Sequence, residues 1–152
     1  MTTTFEAPAL WRRCAAIVYD TLLIAAVSIL YGAIMAGLHS LIYGAPAAGE
    51  RISWGAAQPL VFGGWLLSLC GFFCYFWHSS GQTLGMKTWR LKIVNIDTSL
   101  PSYKQCMVRC LLAPLSLLFL GAGYWWLYAN SERQTLHDQL SKTRTWMTEK
   151  AR

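Results

Sequence analysis

Cys14–Leu38 reads CAAIVYDTLLIAAVSILYGAIMAGL, and Asp20 is its only formal charge. About 20 apolar residues cross the hydrocarbon core of a bilayer, with a usual range of roughly 17–25, so this run is long enough to span. Lipid offers no water to a carboxylate. An acid at such depth must be paired, protonated or turned toward a cavity, which makes Asp20 a functional-site candidate. Arg13 precedes it on the same helix. Seven residues at 100° each return to within about 20° of the same face, roughly 10 Å along the axis.

Two further stretches are apolar. Leu60–Trp77 (LVFGGWLLSLCGFFCYFW) carries no charge, and Leu111–Tyr128 (LLAPLSLLFLGAGYWWLY) is less regular. Pro114 cannot donate a backbone hydrogen bond, and Gly121-Ala122-Gly123 invites a break. The expectation is one membrane domain over 1–152. Its spans lie at about 14–38, 60–77 and 107–129, with a cytoplasmic connection at 78–105 and a cytoplasmic tail at 131–152. Hydrophobic residues make up 55% of the chain and charged residues 13%, against roughly 25% charged in soluble domains. The net charge of +6 does not point to nucleic acid, because most basic residues flank the apolar runs, as basic loops on the cytoplasmic side do. Trp11, Trp54, Trp77, Trp125 and Trp126 fall near segment ends, where amphipathic rings prefer to sit.

Lysine and arginine positions set the expected orientation. Arg12 and Arg13 precede the first run, the connection His39–Pro59 holds Arg51, and His78–Gln105 holds Lys87, Arg90, Lys92 and Lys104. This bias puts the N-terminus and the second connection in the cytoplasm. The tail carries Arg133, Lys142, Arg144, Lys150 and Arg152, yet a simple third crossing would place it outside. A hairpin or re-entrant element turning near Gly121–Gly123 returns it to the cytoplasm; a plain three-pass topology is the alternative. The first run is too long for the apolar core of a cleaved signal, about 7–15 residues, and is read as a retained span.

The second connection has its own pattern. Gly81-Gln82-Thr83-Leu84-Gly85 reads as a polar, glycine-punctuated turn at a membrane exit. Trp89–Ile96 begins with Trp89, Leu91 and Ile93 alternating with Arg90 and Lys92, which is strand-like. Asp97-Thr98-Ser99 reads as a turn, and Ser102 with Gln105 fits a helix capping box after Pro101. In the tail, Ser131 with Gln134 fits a second box, opening a short helix through about Leu140. Thr143–Thr148 then reads as a strand that pairs with Trp89–Ile96. Such pairing needs both segments on one side of the membrane.

Arg13-Cys-Ala-Ala-Ile-Val-Tyr-Asp20, then Gly81-Gln82-Thr83-Leu84-Gly85-Met86-Lys87, and finally Leu136-His137-Asp138 followed by Thr143 together resemble the RDD family. The resemblance runs from about Leu10 to Trp146. It identifies the arginine and two aspartates of the family name as Arg13, Asp20 and Asp138. In the tail, Gln139 and Lys142 stand where the family often has a basic residue and a glycine. The resemblance implies an integral bacterial membrane protein, and some members of the family are associated with sodium–proton antiport.

Arg109 interrupts the third region (CMVRCLLAPL), and an isolated cation there needs an anion. The residues therefore suggest a cytoplasm-side cluster of Arg13, Asp20, Arg109 and Asp138, with His137 beside it. In one reading Asp20 alternates between a proton and a cation such as sodium. In the other, the charges form a structural network that locks the helices to the strands. Cys70 with Cys74 and Cys106 with Cys110 each share a helix face and could offer soft-metal ligands with His78, but thiols in apolar helices usually serve as small hydrophobes, so no metal and no cofactor is expected. His39 and His78 read as interfacial residues. Ala33 with Gly37, and Gly64 with Ser68, permit close helix contact.

No nucleophile–base pair, phosphate loop or zinc motif is present, and no enzyme is expected. The expected fold is all-α and multi-pass, with two full transmembrane helices, a third broken or hairpin segment and a small cytoplasmic β-strand pair. The expected function is a cation/proton transporter or a subunit of one in the bacterial inner membrane, its N-terminus cytoplasmic. The alternative is a non-catalytic scaffold or accessory module. Its partners are the lipid bilayer and further copies or other membrane proteins, with a monovalent cation or proton if it transports.

Overall fold

The protein is described from a computed structural model over residues 7–47, 49–118, 126, 128 and 134–148. Helix α1 (Leu10–Tyr43) is followed by a 3-10 turn at Gly55–Ala57 and helix α2 (Gln58–Ser80). Both are long and apolar enough to cross a membrane, and both extend beyond the expected 14–38 and 60–77. At 1.5 Å per residue, the 34 residues of α1 reach about 50 Å, well beyond a hydrocarbon core of about 30 Å. Large apolar side chains on both helices lie open: Leu22 is 70% exposed, Ile29 72%, Leu41 86% and Leu60 78%. Burying such a side chain is worth about 1.5–3 kcal/mol, so helices like these suit lipid rather than water.

The chain forms two compact units. The unit Leu22–Gly71 is a helix pair. Trp65 Nε1 donates to Ser28 Oγ at 2.9 Å, and the Tyr31 hydroxyl donates to the Val61 carbonyl at 2.7 Å. Gly64 is required there, because a Cβ on it would meet the Tyr31 hydroxyl oxygen at 2.5 Å. At Gly37, by contrast, nothing in this chain lies within 4 Å of its Cβ position. At the far end, His39 and Tyr43 pack their rings against Trp54 at 5.3 and 6.4 Å.

The other unit combines Met1–Thr21 with Phe72–Arg152. It contains α3 (Leu84–Thr88), β1 (Leu91–Asn95), α4 (Tyr103–Leu118), α5 (Leu136–Leu140) and β2 (Thr143–Met147). The strands pair antiparallel, with Leu91 opposite Met147, Ile93 opposite Thr145 and Asn95 opposite Thr143. The pairing expected between Trp89–Ile96 and Thr143–Thr148 thus forms, over a shorter length. Leu91 and Ile93 turn inward onto Ala16 and Met86, with Trp77, Trp89 and Met147 against them. Arg90 takes a left-handed φ of 57°, which ends the regular strand before Trp89. The other edge of β1 is covered, since Ile93 N–H donates to the Gly81 carbonyl at 2.8 Å and Gln82 Nε2 to the Leu91 carbonyl at 2.7 Å.

Several local expectations are sharpened. The glycine-punctuated segment is a turn only up to Gln82. Thr83 then caps α3, its hydroxyl accepting from Met86 N–H at 3.1 Å. The box at the start of α4 forms: Gln105 Oε1 accepts from Ser102 N–H at 2.9 Å. Pro114 lies inside α4 rather than ending it. The tail box is displaced. Helix α5 starts after Thr135 with Asp138 as its third residue, where the expected helix start was four residues earlier. Thr135 and Asp138 have the same three-residue spacing, and Asp138 accepts more strongly than a neutral amide. The turn expected at Gly121–Gly123, and Ser131 itself, lie outside the described residues.

Gly81 holds φ at +73°, and a Cβ there would meet the Ile93 carbonyl oxygen at 2.6 Å. Gly81→Ala should cost the roughly 1–2 kcal/mol of a left-handed residue together with the displacement of β1. Gly44, at φ +87° with open space around it, carries only the first cost. In detergent, Gly81→Ala should therefore lower the thermal midpoint more than Gly44→Ala; equal shifts would count against this packing.

Candidate functional site

On α1 the buried residues are Arg13, Ala16 and Asp20. Their spacings of three and four residues put them on one stripe, and the short elements of the same unit pack along it. Asp20 sits at the inner end. Its Oδ2 accepts from the Thr83 hydroxyl at 2.6 Å, and its Oδ1 accepts from Gly85 N–H at 3.0 Å. Gly85 is helical, and close approach requires it to be glycine: a Cβ would meet the Ala16 carbonyl oxygen at 2.5 Å and Asp20 Oδ1 at 2.6 Å. Thr83 Oγ therefore both donates to Asp20 and caps α3, so the glycine-punctuated segment is built around this carboxylate.

Arg13, at the outer end, does not pair with Asp20. It reaches the C-terminal region, where its Nη1 donates to Asp138 Oδ2 at 2.7 Å. Arg109, from α4, donates through its Nη1 to Asp138 Oδ1. The carboxylate also accepts from the Thr145 hydroxyl at 3.1 Å and from Thr135 N–H at 3.3 Å. Each Asp138 oxygen thus takes two donors. Asp138 is fully buried, while Arg13 is 6% and Arg109 5% exposed. Arg109 also donates to the Thr143 hydroxyl at 2.6 Å and lies 5.8 Å from the Trp77 ring centre. Thr143 in turn shares a hydrogen bond of 2.7 Å with Ser141.

The electrostatics follow from this packing. Burial by itself would raise the Asp138 carboxyl, but Arg109 and Arg13 outweigh it and hold the group well below the usual carboxylate range. His137 is also buried. Its Nε2 lies 3.0 Å from the Thr135 hydroxyl. Burial, helped by the Arg109 charge, pushes its pKa down to about 3 against the pull of Asp138, so the imidazole is neutral at physiological pH.

The five residues expected to cluster therefore divide. Arg13, Arg109, Asp138 and His137 come together, whereas Asp20 has no arginine partner among the described residues and is held by Thr83 and Gly85. Gly81 and Gln82 serve β1 instead. Sequence reasoning missed Thr135 and Thr145, and named Thr143 without seeing its role beside Arg109. The alternation Thr143-Arg144-Thr145 was the available signal: in a strand it puts both hydroxyls on one face, opposite whatever needs acceptors and donors.

Comparison with known proteins places these features in a family. The RDD family model matches residues 7–142, most of the chain, including Arg13, Asp20, Arg109, His137 and Asp138. An uncharacterized protein of Rickettsia prowazekii (strain Madrid E) is 32% identical over 85 residues, 55% of this chain. The match covers 47% of that protein, so the chain spans about half the length of this relative. No solved structure matches.

Two outcomes test the site. Asp138→Asn leaves two buried guanidiniums without a counter-ion, and breaking a buried pair costs about 3–5 kcal/mol. The variant should lose more stability than Arg13→Gln, measured by denaturation in detergent, and a midpoint near wild type would contradict the arrangement. His137 has a folded pKa of about 3 against an unfolded value of 6.5. The unfolded state therefore binds the extra proton, and stability falls as pH drops from 6.5 toward 3, with a limiting slope of about 1.4 kcal/mol per pH unit. His137→Gln should flatten the midpoint-versus-pH curve between pH 6.5 and 4; an unchanged slope would place that proton elsewhere.

Proposed function

The chain belongs to the RDD family, and from that premise we propose that it is a non-catalytic membrane module whose arginine–aspartate network is structural. It is a multi-pass protein of the bacterial inner membrane, with its N-terminus and strand pair on the cytoplasmic side. Its partners are lipid, further copies of itself or other membrane proteins.

One observation carries this reading: both oxygens of Asp138 are taken up by two donors each, and two of the four donors are arginine cations. A monovalent cation would have to displace a guanidinium and leave that charge buried without a counter-ion, at a cost of several kcal/mol. The same contacts tie together segments far apart in the chain, which is the work of a scaffold. Asp20 fits the reading too, because its carboxylate anchors the cap of α3 to the membrane helix.

Vesicle reconstitution decides between this module and a cation/proton transporter. With internal pH followed as sodium, lithium or potassium is added outside, protein-containing vesicles should behave as empty ones do. Ion-dependent pH change in the wild type, abolished by an Asp20→Asn variant that keeps its fold, would overturn the structural reading in favour of transport.

A further inference from the structure

The first turn of α1 and the end of α3 meet through aromatic rings. Trp89, the C-terminal cap of α3, stands edge-on to Trp11 at 5.4 Å and to Tyr19 at 6.2 Å. Its inner side rests on the small core of Ala16, Met86, Leu91 and Ile93. Trp11 and Tyr19, by contrast, are 55% and 48% exposed. Amphipathic rings left open on a helix that can span a membrane match the boundary between acyl chains and headgroups.

Basic residues stand on the same elements as these rings. The Arg12 guanidinium lies 4.9 Å from the Trp11 ring centre. Lys87 is exposed on α3, and Arg90 follows Trp89 in a turn closed by its N–H on the Lys87 carbonyl at 3.2 Å. That turn holds Arg90 at φ 57°, a left-handed geometry that costs a non-glycine residue about 1–2 kcal/mol. Among the described residues, none of these three cations has a carboxylate partner. The described acids of this unit are engaged elsewhere: Asp20 with Thr83, Asp138 with the two buried arginines, and Asp97 with Ser99.

We propose that Trp11, Arg12, Tyr19, Lys87, Trp89 and Arg90 form a seat for the headgroup of an anionic phospholipid. The three cations face its phosphate, and the open faces of Trp11 and Tyr19 take the glycerol and upper acyl region. Charge complementarity selects an anion. The rings on a lipid-crossing helix select a lipid over an acidic protein segment. The inference does not depend on whether the buried network is structural or carries ions.

Lipid retention tests it. The full chain is reconstituted in nanodiscs of mixed phosphatidylcholine and phosphatidylglycerol, extracted gently, and its retained lipids are counted by mass spectrometry. Phosphatidylglycerol should be enriched, and each of R12Q, K87Q and R90Q should lower the enrichment by up to about fivefold, the equivalent of ~1 kcal/mol per basic residue at an anionic surface. The exposed controls K104Q and K142Q should leave it unchanged, and R12K/R90K should retain most of it, which separates lost charge from lost folding. No enrichment in the wild type overturns the proposal. So does an equal loss in the controls, which would mean general surface charge. Displacement of the lipid by inorganic phosphate alone would also overturn it, because the seat would then be a plain anion site.

Discussion

The Asp138 carboxylate, shared between Arg13 and Arg109, is the interaction on which the unit holding the strand pair depends. It joins the first turn of α1 to residues 96 and 125 positions later in the chain, and through Thr143 and Thr145 it fixes β2 as well. Desolvating three charges is expensive: each ion loses several kcal/mol of hydration even after the protein relaxes. Only a nearly complete set of contacts offsets that cost. Asp138 has such a set, and its four donors come from α1, α4, β2 and the cap of α5 itself. A partial set would make the same residues a liability, because one carboxylate between two guanidiniums still leaves a positive excess. The Trp77 ring beside Arg109 absorbs part of that excess, since the face of an aromatic ring attracts a cation.

The second carboxylate solves a different problem. Asp20 brings α3 against α1 without any ion pair, by accepting a hydroxyl and a backbone N–H at the start of a short helix. Helix N-termini leave N–H groups unsatisfied, and a carboxylate is a favourable partner for them. Ala16 and Gly85 supply the room: between Arg13 and Asp20, the stripe on α1 must be flat enough for backbone to lie on backbone. The stripe thus works as a seam with a charged grip at one end, a small residue in the middle and a neutral grip at the other.

Much of this was legible in the sequence. The two long helices follow from long apolar runs, and the strand pair follows from the alternation around Leu91 and Ile93 together with the polar–apolar rhythm of Thr143–Met147. The grouping of Arg13, Arg109 and Asp138 was readable because isolated charges at the margins of apolar segments need partners. The position of Asp20 was not. Helical periodicity puts it on the face of Arg13, but periodicity cannot reveal that a glycine 65 residues away leaves a backbone N–H within reach. The start of α5 was misplaced for a related reason. Ser131–Gln134 and Thr135–Asp138 are equivalent by spacing, and only the two arginines, which require Asp138 at that position, distinguish them. Local pattern fixes what can cap a helix; the distant charge decides which cap is used.

The same division bears on any chemistry the fold could host. Asp138 is held by two cations that have no alternative counter-ion among the described residues, so releasing its oxygens would strand buried positive charge. Asp20 is held by neutral donors alone. Exchanging one of them for another ligand would cost a hydrogen bond, about 0.5–1.5 kcal/mol net, rather than an unpaired buried ion. The two aspartates are therefore not interchangeable. Asp138 thus holds the fold through ion pairs, while Asp20 seats α3 through neutral hydrogen bonds.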